Sequence, residues 1–90
     1  MDITDRMERE IRGAANDLSN AVTTRALHPT YGYTKTVIRS KMDRLDGMIF
    51  LYGVLTEQAL NPMPGLVTFV CPRTTEVVRL ARSSASKVVA

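Results

Sequence analysis

The sequence predicts an all-α fold, and three observations carry that expectation. The stretch from Thr34 to Leu60 is the longest run with one clear period: Ile38, Met42, Leu45, Ile49, Tyr52, Leu55 and Ala59 alternate steps of three and four and draw one stripe along a helix. A second stripe of the same period runs through Ile3, Met7, Ile11, Ala14, Leu18, Ala21 and Val22. Leu66-Val67-Thr68-Phe69-Val70-Cys71 alone has the β-branched and aromatic content of a strand, and no second segment exists to pair with it. The chain is read as a single helical domain over residues 1–90. A long antiparallel helical hairpin (about 2–26 and 34–60) carries a broken C-terminal helical arm, and self-association completes the core.

In the first helix, Asp5, Arg6, Glu8, Arg9, Glu10, Arg12, Asn16 and Asp17 occupy the faces left by the apolar stripe. Asp2 or Thr4 caps its start, Asp5 and Glu8 suit the positive end of the helix dipole, and Asp5–Arg9 is spaced as an i,i+4 ion pair. Its narrow seam calls for one apolar partner, the second helix. Pro29 ends it by biasing His28 away from helical geometry. The connection from His28 to Lys35 has a length common between neighbouring helices, and Gly32 between two tyrosines suggests a turn with positive φ.

The second helix starts from a Thr34 or Thr36 cap. Its later half, Met48 to Leu55, is apolar almost all round, and such a helix has to be covered on every face. Gly47 and Gly53 each cost about 1 kcal/mol relative to alanine in a helix interior, which suggests close approach of another backbone, or a kink at Gly47. Asn61-Pro62-Met63-Pro64-Gly65 stops it. Residues 66–71 are a short helix or strand, with the helix favoured and ended or bent by Pro72. A last helix over about 74–88 shows Val77, Val78, Ala81, Ala85 and Val88 on one face, and Ser83-Ser84-Ala85-Ser86 weakens its end.

Composition narrows the functional classes. No uncharged run approaches the roughly 18 residues of a membrane span, and the acidic and basic N-terminus lacks the apolar core of a secretory signal, so a cytoplasmic protein is expected. One cysteine, Cys71, excludes an intramolecular disulfide and a cysteine-based zinc cluster; one histidine, His28, excludes a histidine-rich metal site. Walker, zinc and GxGxxG spacings are absent, and no local motif brings His28 together with Asp17, Ser19 or Cys71 as base and nucleophile. Asp43 and Asp46, flanked by Lys41 and Arg44, read as a salt-bridged solvent face rather than paired ligands. No enzyme, metal or cofactor is expected. Size and this lack of catalytic apparatus suit a viral or mobile-element accessory protein.

Three binding readings stay open. Around the first loop, Tyr31 and Tyr33 offer stacking faces, Thr34 and Thr36 hydroxyls, and Lys35 and Arg39 positive charge, beside the free N–H groups of a helix start; a phosphate-bearing ligand such as a nucleotide would use these. Phe50, Leu51 and Val54 lie off the main stripe of the second helix and would serve self-association or a protein partner. Residues 61–90 carry four Arg/Lys against one acid, and Arg79, Arg82 and Lys87 there would serve nucleic acid.

Overall fold

The computed structural model describes residues 2–30, 32–58 and 63–90, and among them the chain forms three helices and no strand: α1 (Ile3–Leu27), α2 (Lys35–Leu55) and α3 (Pro72–Val89). None of the described helices is long and apolar enough to cross a membrane. The molecule extends 43 × 26 × 16 Å. So thin a body cannot surround a helix on every side.

α1 begins at an Asp2 cap, whose carboxylate accepts from the Thr4 N–H at 3.2 Å, and ends at His28, whose own N–H reaches Thr24 O at 2.9 Å. Its buried side is Glu8, Ile11, Ala15, Leu18 and Ala21, while Ile3 at the head of the expected stripe is 67% exposed. The seam is rotated because α1 has two partners: it packs most extensively on α3, and also on α2. The expectation of a single partner helix is thereby corrected. A second correction concerns Glu8, which the sequence places among solvent-facing charges but which is 1% exposed. The ion pair on this helix is Arg6–Glu10 at 3.9 Å rather than Asp5–Arg9; with both side chains well exposed it contributes little.

The loop to α2 turns without positive φ at Gly32. What Gly32 supplies is room. A Cβ there would stand 2.6 Å from His28 O and 2.8 Å from Arg25 Cα, so the turn closes only where a side chain is missing. Thr34 then caps α2 by accepting from Val37 N–H at 3.2 Å.

Ile38, Leu45, Ile49 and Tyr52 form the buried stripe of α2, each contributing about 1.5–3 kcal/mol if fully desolvated. Leu55, the next member, is 56% exposed. There the helix stops, short of the Leu60 expected from the prolines beyond. Glu57 takes a left-handed φ of 56°, its N–H bonds Val54 O at 3.1 Å, and the Gln58 N–H bonds Gly53 O at 3.0 Å. Those two bonds are the Schellman closure of a helix C-terminus, built here on glutamate where glycine is usual. Ala59 and Leu60 lie outside the described residues.

The segment expected as a short helix is neither helix nor strand. After a turn in which Leu66 N–H bonds Met63 O at 2.9 Å, residues 67–69 run irregularly, with Val67 and Phe69 buried and Leu66, Thr68 and Val70 exposed. Their backbone is satisfied by side chains instead of a partner strand. Gln58 Nε2 donates to Thr68 O and Gln58 Oε1 accepts from Thr68 N–H, both at 2.7 Å. Val70 and Cys71 donate their N–H groups to Glu8. Pro72 does not end a helix; it occupies the first position of α3, where its missing N–H costs nothing. α3 runs unbroken through the serine-rich stretch to Val89 because Ala81 and Ala85 are buried against the other helices.

Candidate functional site

The polar centre of the fold is the Glu8 carboxyl group. Oε2 accepts from Tyr52 Oη at 3.0 Å and from Val70 N–H at 3.2 Å, and Oε1 accepts from Cys71 N–H at 3.1 Å. One side chain of α1 thus ties down α2 and the start of α3. Burial pushes the Tyr52 phenol up to about 12, and the hydrogen bond to Glu8 and the charge of Glu8 push in the same direction. Phe69 covers the ring, centroid to centroid 5.1 Å. Beside this cluster, Arg12 donates to Thr74 Oγ1 at 2.7 Å, and the backbone N–H groups of Thr74 and Arg73 hold the Cys71 thiol below its ordinary pKa. His28 sits at the opposite end of α1 from Cys71's neighbours Glu8 and Arg12, so the fold does not assemble a cysteine–histidine pair. Among the described residues, no three acids, cysteines or histidines gather as a metal site.

At the loop the expected phosphate seat is only partly assembled. Thr34 is used as the cap, and Arg39 donates to Val89 O at the end of α3 at 3.1 Å. Tyr33 is exposed; Lys41 stands 5.4 Å from its ring centroid while bonding Asp17 at 2.8 Å, and Arg25 holds the Tyr33 carbonyl at 3.0 Å. Lys35 and Thr36 point to solvent, and Tyr31 lies outside the described residues.

Along α2, Phe50, Leu51, Val54 and Leu55 are 42–56% exposed on one side. A Cβ on Gly47, one turn earlier, would meet nothing within 4 Å beyond its own helical turns. Among the described residues, then, the glycine answers no close approach. Leu51 also borders a small cleft with Met7, Glu10, Ile11 and Met48, which continues the apolar surface onto α1.

A groove of about 350 Å³ lies between the 64–69 segment and α3. Its floor is Val67, Phe69 and Val78; its wall on α3 is Thr75, Arg79, Arg82, Ser83 and Ser86, residues spaced to share one side of the helix. Arg82 is fixed by a bond from Nε to Asp46 on α2 at 2.8 Å, which makes Asp46 an inter-helix partner rather than part of a purely solvated face. Its Nη1 lies 4.0 Å from where a Cβ on Gly65 would be. Lys87, grouped with these arginines in the sequence reading, does not line the groove. Sequence reasoning missed Val67 and Phe69, whose inward turn depends on the Gln58 and Glu8 bonds. The Thr75–Arg79–Ser83–Ser86 spacing was the available signal for the opposite wall.

No family model, curated protein or solved structure matches this chain. Its function is therefore argued from these surfaces alone.

Proposed function

We propose that this is a non-enzymatic helical binding protein whose helical hairpin, α1 and α2, is completed by a second copy of the chain. One observation carries the reading: Phe50, Leu51, Val54 and Leu55 stand about half exposed on a single side of α2. Large apolar side chains grouped on one exposed face, as opposed to ones scattered singly, are characteristic of interaction sites.

The side is suited to its own copy. If two α2 helices cross antiparallel about a two-fold axis near Phe50 and Leu51, Gly47 of one faces Val54 of the other, and the absent side chain lets the helices approach. The same register brings Arg44 to the C-terminal end of the other copy's α2, where the helix dipole favours positive charge, and Arg44 has no ion-pair partner among the described residues. Sedimentation or light scattering at micromolar concentration tests this. Leu51→Asp should give a monomer with unchanged helicity, because pairing would bury an unpaired charge. Arg44→Glu should weaken assembly, because it sets a negative charge against the negative end of the partner helix. A compact monomer for the unaltered chain would overturn the proposal.

A second reading, a phosphate-bearing ligand at the start of α2, draws on the exposed Lys35 and on the Lys35 and Thr36 N–H groups, which the Thr34 cap does not engage. A thermal-shift panel of nucleotides and sugar phosphates tests it, since a native-state ligand must raise the melting temperature. No shift at millimolar ligand would reject it.

A further inference from the structure

The groove between the 64–69 segment and α3 has a composition that the self-association reading does not use. Ten residues line it, and none is acidic: Pro64, Gly65, Val67, Phe69 and Val78 are apolar or lack polar side chains, Thr75, Ser83 and Ser86 bring hydroxyls, and Arg79 and Arg82 bring positive charge. The two arginines differ. Arg82 is neutralised by Asp46 and held in place, whereas Arg79 is exposed and has no ion-pair partner among the described residues. One uncompensated guanidinium therefore stands over an apolar floor.

A volume of about 350 Å³ falls within the range of small-molecule sites, which pair a mostly apolar lining with a few convergent polar groups. The geometry points to a small organic anion as occupant: a flat or branched apolar body lying on Val67, Phe69 and Val78, with one carboxylate-, sulfonate- or phosphate-type head on Arg79. A single head group suffices because a single positive charge is unpaired. The fixed guanidinium of Arg82 closes one side near Gly65, and Ser83 and Ser86 offer hydroxyls to ligand polar atoms. Guanidinium suits such heads because its fork donates two parallel hydrogen bonds. This site is separate from the outer face of α2, so it stands or falls independently of assembly.

Anilinonaphthalene sulfonate, an aromatic body with one anionic head, is a suitable probe, and N-phenylnaphthylamine is its neutral counterpart. Both are titrated into the full chain carrying Leu51→Asp, which removes the competing apolar face, and followed by two-dimensional amide NMR. The expected result is saturable binding of the sulfonate with shifts at Val67, Phe69, Val78 and Arg79. Arg79→Ala should weaken it about ten- to a hundredfold, the range for one hydrogen bond to a charged group. Ser83→Glu, which adds an acid to the groove, should abolish it, while helicity stays unchanged because both positions are exposed. Equal affinity for the neutral compound, or shifts confined to residues outside the groove, would overturn the proposal. So would a single-stranded oligonucleotide that displaces the probe and depends on Lys87 as strongly as on Arg79; the arm would then be a nucleic-acid surface.

Discussion

Replacing Glu8 by alanine should be among the most damaging single changes this chain can suffer, although the position looks like helix surface in the sequence. Glu8 receives three hydrogen bonds at 3.0–3.2 Å in an almost fully buried position. Removing the acceptor strands the Tyr52 hydroxyl and the Val70 and Cys71 N–H groups, and each stranded donor costs about 1–3 kcal/mol. Water entering the vacated space recovers part of that sum. A loss of at least about 3 kcal/mol is expected, against a total of about 5–13 kcal/mol for a domain of this size.

Glu8→Gln should cost less, because its carbonyl oxygen can still serve Tyr52 and Val70, which share one oxygen, while its amide faces the Cys71 N–H donor to donor. About 1–3 kcal/mol follows. Urea unfolding at one fixed protein concentration measures both variants, with unchanged slopes confirming that the same structure is lost. A double-mutant cycle with Tyr52→Phe should return a coupling of about 0.5–3 kcal/mol. A Glu8→Ala loss below about 1 kcal/mol, or equal losses for Ala and Gln, would refute the reasoning.

Three further outcomes are expected. Tyr52 is raised from 10.0 to about 12 by folding, so the native state holds its proton more tightly; the stability this gives is complete below pH 10 and fades as pH climbs from 10 to about 12, which tyrosinate absorbance followed beside circular dichroism would register as one late-titrating tyrosine that Tyr52→Phe abolishes. Glu57→Gly should stabilise the protein by about 1 kcal/mol in thermal or urea unfolding, because glycine adopts the left-handed φ of 56° without the penalty a side chain carries. Gly32→Ala should destabilise by about 1–3 kcal/mol, since its Cβ meets backbone atoms that cannot swing aside, whereas Gly13→Ala, with open space around it in α1, should gain up to about 1 kcal/mol; equal effects from the two would contradict the geometry.

The parts of the fold legible in the sequence are those fixed by local chemistry. The stripes of α1 and α2, the Asp2 and Thr34 caps and the stop at Pro29 all follow from residues within a turn or two of one another. What was not legible depends on distant partners or on an uncommon residue in a common role. The close of α2 carries glutamate where glycine would have announced it. Pro72 reads equally well as a stop or a start, and only the bonds of Val70 and Cys71 to Glu8 settle the chain direction before it. Glu8 itself, set between Met7 and Arg9 in a charged stretch, gains its buried environment from segments it does not adjoin. For the groove, Arg79 and Arg82 stood out by charge, but Val67 and Phe69 became a floor only through Gln58's grip on Thr68.

The span of the Glu8 bonds also governs when this protein can fold. Two of its three donors lie 62 and 63 positions later in the chain. During synthesis, a nascent chain that has exposed only α1 and α2 holds a carboxyl group on the seam and lacks α3, the helix on which α1 packs most extensively. Closing so long a loop carries an entropic cost that is recovered only when the last helix docks. The packing of α1 and α2 is therefore incomplete until α3 is available. Docking of the eighteen-residue α3 is thus the step that triggers folding of the three helices.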